Sequence, residues 1–94
     1  MIIEISDLGI KAEHVEEFRA RFSVFREILL SLQGGIATRC LQDQADPGKF
    51  CMLMQWESMD AKDLFMSDPR LQEWAKDFGS LTTSHVDRYF DEIN

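Results

Sequence analysis

The chain has 94 residues, enough for a single domain (residues 1–94) with its own core; 45% of them are apolar, with seven Phe and two Trp. A net charge of -7, from 17 acidic and 10 basic residues, excludes a nucleic-acid partner, because phosphate recognition needs a basic surface. No apolar run approaches the ~20 residues that cross a bilayer, and the N-terminal segment carries Glu4 where a secretion signal carries positive charge, so a cytoplasmic protein with no membrane role is expected.

Residues 2–8 form a short β-branched run and a first strand, which Gly9 ends. Val15, Phe18, Phe22, Phe25, Leu29 and Leu32 then recur at spacings of three and four, one face of a long helix. Gly34-Gly35 stops that helix. A second strand runs from Ile36 to Gln42, with Ile36, Thr38 and Cys40 opposite Ala37, Arg39 and Leu41. The segment Asp43–Gly48, built on Asp46-Pro47-Gly48, is a turn by composition.

The third strand, Phe50 to Ser58, is the most informative segment. Phe50, Met52, Met54 and Trp56 share one side; Cys51 and Leu53 share the other before Gln55 and Glu57 take over. A strand covered on one side alternates apolar and polar residues. This one asks for cover on both, and so short a chain has few helices to supply it. Helices on one face and a second copy of the chain on the other answer that demand.

Ser58 or Asp60 caps a helix carrying Leu64, Phe65 and Met66. Asp68-Pro69 reads as an N-cap followed by proline in the first turn, restarting a helix with Leu71, Trp74, Ala75 and Phe78 that ends near Gly79. Thr83 to Ile93 is a last strand, with Val86 and Phe90 opposite His85 and Tyr89. The order β-α-β-β-α-β, its second helix split, predicts an α+β ferredoxin-like domain: a four-stranded antiparallel sheet with helices on one face.

Each candidate polar group has two readings. His85 suits a general base, because imidazole titrates near neutrality, or is a solvated strand-end residue. Arg39 in mid-strand either holds an anionic oxygen or pairs with Glu4 or Asp87 across the sheet. Trp56 and Trp74 either sandwich a flat ring or fill the core. Tyr89 donates a phenolic hydrogen bond to a ligand or anchors a subunit seam. Cys40 and Cys51 come close if their strands pair, and read as small sheet residues rather than a redox couple. Two separate His and two Cys eleven apart give no metal-ligand set, and no glycine loop precedes a helix to cradle phosphate.

Gly34-Gly35 after a long helix, the Asp46-Pro47-Gly48 turn, Phe50, the run Trp56-Glu57-Ser58, Phe65, the Ser67-Asp68-Pro69 break and Trp74 together resemble the antibiotic biosynthesis monooxygenase family, from Ile3 to Ile93. The resemblance implies a dimeric α+β barrel, two sheets face to face, with a pocket in each subunit between sheet and helices. Its active members include cofactor-free oxygenases of polycyclic phenols, quinol oxygenases and haem-degrading enzymes. The haem-degrading members use an Asn, a Trp and a His where this chain has Ser6, Phe65 or Leu64, and approximately Trp74, so haem degradation is not expected. The cofactor-free oxygenases use Asn, Trp, Tyr and Arg; Trp56 matches the Trp, while the one Asn here is Asn94. The resulting expectation is a cofactor-independent monooxygenase of a small phenolic or quinol-like molecule, with O2 as co-substrate. Trp56, Phe65, Trp74 and Phe22 would bind the ring, Arg39 would hold the phenolate, and His85 or Tyr89 would move the proton. The alternative is a non-catalytic binding or interaction domain of the same fold.

Overall fold

The computed structural model describes residues 1–93. The elements are β1 (Ile2–Ile10), a single 3-10 turn at Ala12–His14, α1 (Val15–Ser31), β2 (Gly35–Gln42), β3 (Lys49–Trp56), α2 (Met59–Met66), α3 (Pro69–Ala75), α4 (Phe78–Leu81) and β4 (Thr82–Asp91). The strands form one antiparallel sheet in the order β2-β3-β1-β4. The central pair β1 and β3 thus belong to different βαβ halves, the expected ferredoxin-like arrangement.

Local chemistry accounts for the element ends. Ser58 is the N-cap of α2, its Oγ accepting the Ala61 N–H, and Asp68 caps α3 through Arg70 N–H with Pro69 in the first turn. Gly34 adopts φ 90° after α1, a conformation that favours glycine. At Gly35 a Cβ would stand 2.3 Å from the Leu29 carbonyl oxygen, so the chain packs there only without a side chain. The second helical half departs from the sequence expectation of one helix ending near Gly79. It breaks after Ala75 because the Trp74 carbonyl accepts from the Arg21 guanidinium, which also holds Asp77 at 3.0 Å.

The strand phases sort every residue to a side. Phe50, Met52, Met54 and Trp56 of β3, with Leu8 and Ile10 of β1, meet Phe18, Phe25, Ile28 and Leu29 of α1 and Phe65 and Leu71 of the later helices in one buried layer. Ile28 belongs to that layer although the predicted helix stripe omitted it. Cys51, Leu53 and Gln55 face away from the helices, with Ile3, Ile5 and Asp7 beside them on β1. No helix of the described residues is long and apolar enough to cross a membrane.

Candidate functional site

Between the sheet and the helices lies a cavity of about 170 Å³. Its apolar walls are aromatic and sulfur-rich. Phe25 comes from α1, Met52, Met54 and Trp56 from β3, Phe65 from α2, Leu71 and Trp74 from α3, and Phe78 from α4. The rings touch in series: Trp56 to Phe65 at 5.1 Å, Phe65 to Phe25 at 5.2 Å, Phe25 to Trp74 at 5.1 Å, and Trp74 stacked on Phe78 at 5.1 Å. Arg21 fixes the outer part of this wall. Its guanidinium lies 5.1 Å from the Trp74 ring and 5.9 Å from Phe78, and its carbonyl accepts Trp74 Nε1–H at 2.8 Å. The mouth opens along β4, where His85 and Asp87 on the helix side of the strand remain exposed, as do Met66 and Ala75 opposite.

The remaining wall is polar. Glu4 is only 4% exposed, and Ser6 beside it on β1 is also buried. A buried carboxylate is tolerable only when its charge and lone pairs are satisfied. Glu4 Oε1 accepts Trp56 Nε1–H at 3.0 Å; Oε2 accepts from Lys62 Nζ and from the Tyr89 hydroxyl, each at 3.2 Å. Lys62 also donates to the Tyr89 oxygen, and its ammonium lies 4.2 Å from the centre of that ring. Burial by itself would lower the Lys62 pKa, but the Tyr89 hydrogen bond and the Glu4 charge outweigh it and hold the ammonium above its ordinary value.

The second polar group is Ser6, Asp87 and His85. Asp87 Oδ1 accepts from Ser6 Oγ and lies 2.8 Å from His85 Nε2. That contact favours the tautomer protonated on Nε2, leaving Nδ1 to accept a proton. The order is wrong for a hydrolase. Ser6 gives its proton to Asp87 rather than to His85, so no activated serine nucleophile results.

Four of the sequence-predicted residues therefore come together: Trp56, Phe65, Trp74 and His85 line the cavity. Tyr89 stands one layer outside and reaches the wall through Lys62 and Glu4. Phe22 does not reach it; it stacks behind Phe25 at 6.0 Å. Arg39 is a correction. Thr38 and Cys40 pair with Met54 and Met52, whose side chains meet the helices, so Arg39, opposite Leu53, is exposed on the far face of the sheet. Its expected partners are engaged elsewhere, Glu4 by Lys62 and Asp87 by Ser6 and His85. The same alternation turns Cys40 toward the helices and Cys51 away, with both thiols free.

Sequence reasoning missed Glu4, Ser6, Lys62 and Asp87 as site residues. A signal existed in β1: Glu4 and Ser6 interrupt the side formed by Ile2, Leu8 and Ile10, while Ile3 and Ile5 make the other side apolar. Two polar residues mid-strand on an otherwise apolar face mark a polar spot in a core.

A sequence model of the family described as antibiotic biosynthesis monooxygenase matches residues 1–77. The match ends before β4, which carries His85, Asp87 and Tyr89. No curated protein matches the chain in sequence. Among solved structures, a Nitrosomonas europaea protein bearing the same family name superposes with a TM-score of 0.92 at 14% identity, covering 100% of both chains. SnoaB, a cofactor-independent oxygenase from Streptomyces nogalater, gives 0.88 at 13% identity over 99% of this chain and 93% of that one. Rv0793 from Mycobacterium tuberculosis gives 0.88 at 13% identity over 99% and 95%. At such identities the likeness is one of fold.

Proposed function

Because the chain belongs to the antibiotic biosynthesis monooxygenase family, we propose that it is a cofactor-independent monooxygenase acting on a small phenolic or quinol-like aromatic molecule. The observation that carries this reading is one slot with two kinds of wall. Aromatic rings line the one side, as a flat ligand requires, and the slot ends on a histidine whose one nitrogen is already held by a carboxylate.

In this reading Trp56, Phe65 and Trp74 enclose the ring, and His85 Nδ1 takes the proton of a ring hydroxyl. The resulting electron-rich anion passes an electron to O2; the radicals combine, one oxygen atom stays on the ring and the other leaves as water. For hydroquinone the products are hydroxybenzoquinone and water, so the substrate supplies both electrons. Asp87 orients His85, and Tyr89 acts at one remove by holding Lys62 and Glu4. Arg39 has no role. The same reading seats a second copy of the chain on the open sheet face, away from the cavity.

Oxygen uptake with hydroquinone is the test. Uptake by the wild type, a loss of about 100-fold in His85→Ala and no change in Arg39→Ala are expected. Undiminished uptake in His85→Ala overturns the assignment of the base. A second reading, a non-catalytic binding domain, draws on the mutual pairing of Glu4, Lys62, Ser6 and Asp87; ring binding without any oxygen uptake would favour it.

A further inference from the structure

We infer that the Glu4–Lys62 pair makes this cavity selective for an uncharged single-ring phenol and excludes aryl carboxylates. The inference rests on the oxygenase reading for its setting and deepens it by naming the ligand class; binding alone tests it.

Size is the first observation. A dry apolar cavity of ~150 Å³ accepts one benzene ring. The cavity here, about 170 Å³, matches a single substituted ring, and three fused rings would project through its mouth into solvent.

Charge is the second. The titratable groups on the cavity wall are Glu4, Lys62, His85 and Asp87. Lys62, whose side chain is 13% exposed, is the lone permanent cation among them, and its ammonium is committed to Glu4 at 3.2 Å, to the Tyr89 hydroxyl and to the Tyr89 ring. Arg21 lies behind Trp74, bound to the Trp74 carbonyl, Glu17 and Asp77, and presents no charge to the ligand. Among the groups of fixed charge the wall holds two carboxylates against one ammonium, and His85 Nε2 is itself engaged by Asp87 at 2.8 Å. An incoming carboxylate would give up part of its hydration without reaching a cation free of Glu4, and would stand near Asp87, a repulsion that water at the open mouth screens only in part. A phenol hydroxyl has none of these costs, because His85 Nδ1 and the outer oxygen of Asp87 both accept a proton donor. Glu4 thus does more than tolerate Lys62. It removes from the cavity the positive charge that would draw aromatic acids.

Calorimetric titration under anaerobic conditions at pH 7, with phenol, 4-hydroxybenzoate and anthrone as probes, tests this. Phenol should bind at least about ten-fold more tightly than 4-hydroxybenzoate, and the three-ring anthrone should bind more weakly than phenol. Glu4→Gln keeps an acceptor for Trp56 but frees the Lys62 charge. In that variant the preference should move toward 4-hydroxybenzoate by about ten-fold, a gain that misfolding does not produce. Equal wild-type affinity for the two single rings, tight anthrone binding, or an unmoved ratio in a folded Glu4→Gln variant overturns the inference. Phenol-selective binding without oxygen uptake removes the oxygenase reading and leaves this one standing; oxygenation of 4-hydroxybenzoate as efficiently as hydroquinone does the reverse.

Discussion

The two faces of the sheet are both apolar at their centre, and only one of them is covered by the chain's own helices. On the helix side, Phe50, Met52, Met54 and Trp56 are each at most 5% exposed. On the other side, Ile3, Ile5 and Leu53 are half-buried against one another, and toward the edges Leu41 and Phe90 stand 44% exposed and Val86 56%. Charge is sparse there, chiefly Arg39 and an Asp7–Arg88 pair at 2.9 Å. A two-layer α+β unit normally leaves such a face polar. The covered face makes a fold and a cavity; the open face has the composition of a core missing its other half. A second copy of the chain is the occupant that the proposed function seats there.

The comparison breaks most readily at Leu53. Leu53→Arg puts a charge in the middle of the open face, and a symmetric pair of copies would meet it twice. The dimer dissociation constant should rise about 1,000-fold, roughly 4 kcal/mol, as read by sedimentation velocity across a concentration series, while far-UV circular dichroism stays that of the wild type. A wild type that sediments as a monomer at tens of micromolar sinks the idea that this face is an interface.

The two cysteines sharpen the contrast, since one lies on each face of neighbouring strands. Burial, and secondarily the nearby Cys51, pushes the Cys40 thiol up to about 11. At pH 8 its thiolate population then falls ~100-fold below that of an ordinary exposed thiol, and alkylation by iodoacetamide should slow accordingly. Cys51 is also raised, first by burial and then by Asp7, but it lies on the open face and should react faster in Leu53→Arg than in the wild type. The stability sign follows. Well below pH 9 the Cys40 thiol is protonated in both states and contributes no slope; as pH rises through 9 toward about 11 the unfolded chain loses the proton first, so stability falls. Cys40→Ala should flatten that fall. Mass-resolved alkylation showing Cys40 reacting as fast as a free thiol contradicts the placement.

Most of the fold was legible because it rests on local periodicity. The period-two alternation in β3 separated Phe50, Met52, Met54 and Trp56 from Cys51 and Leu53, and the caps at Ser58 and Asp68 are short-range chemistry. The site was legible only in part. Alternation says that Arg39 and Thr38 point oppositely; it does not say which of them meets the helices, so Arg39 looked like an interior cation. The polar wall joins residues far apart in the chain: Glu4 and Lys62 are 58 positions apart, and Ser6 and Asp87 are 81. Their meeting depends on the β1–β4 register, which places Ser6 opposite Asp87 and Glu4 opposite Tyr89, and no local pattern encodes that register.

The covered face has one imperfection, and it gives the smallest expected effect. Thr38, 6% exposed, turns its hydroxyl toward the helices, and its Oγ1 is a buried side-chain polar atom with no hydrogen-bond partner among the described residues. A buried hydroxyl left unpaired has lost its water without replacement. Val has nearly the same shape and the same β-branched preference for a strand, so Thr38→Val should raise stability by about 1 kcal/mol, read from the urea midpoint at unchanged slope. The control change at an exposed threonine, Thr83→Val at the start of β4, should move the midpoint by less than about 0.5 kcal/mol. If Thr38→Val is destabilising instead, the hydroxyl has a partner in solution, and the helix-side layer at β2 is wetter than the packing around Met54 implies.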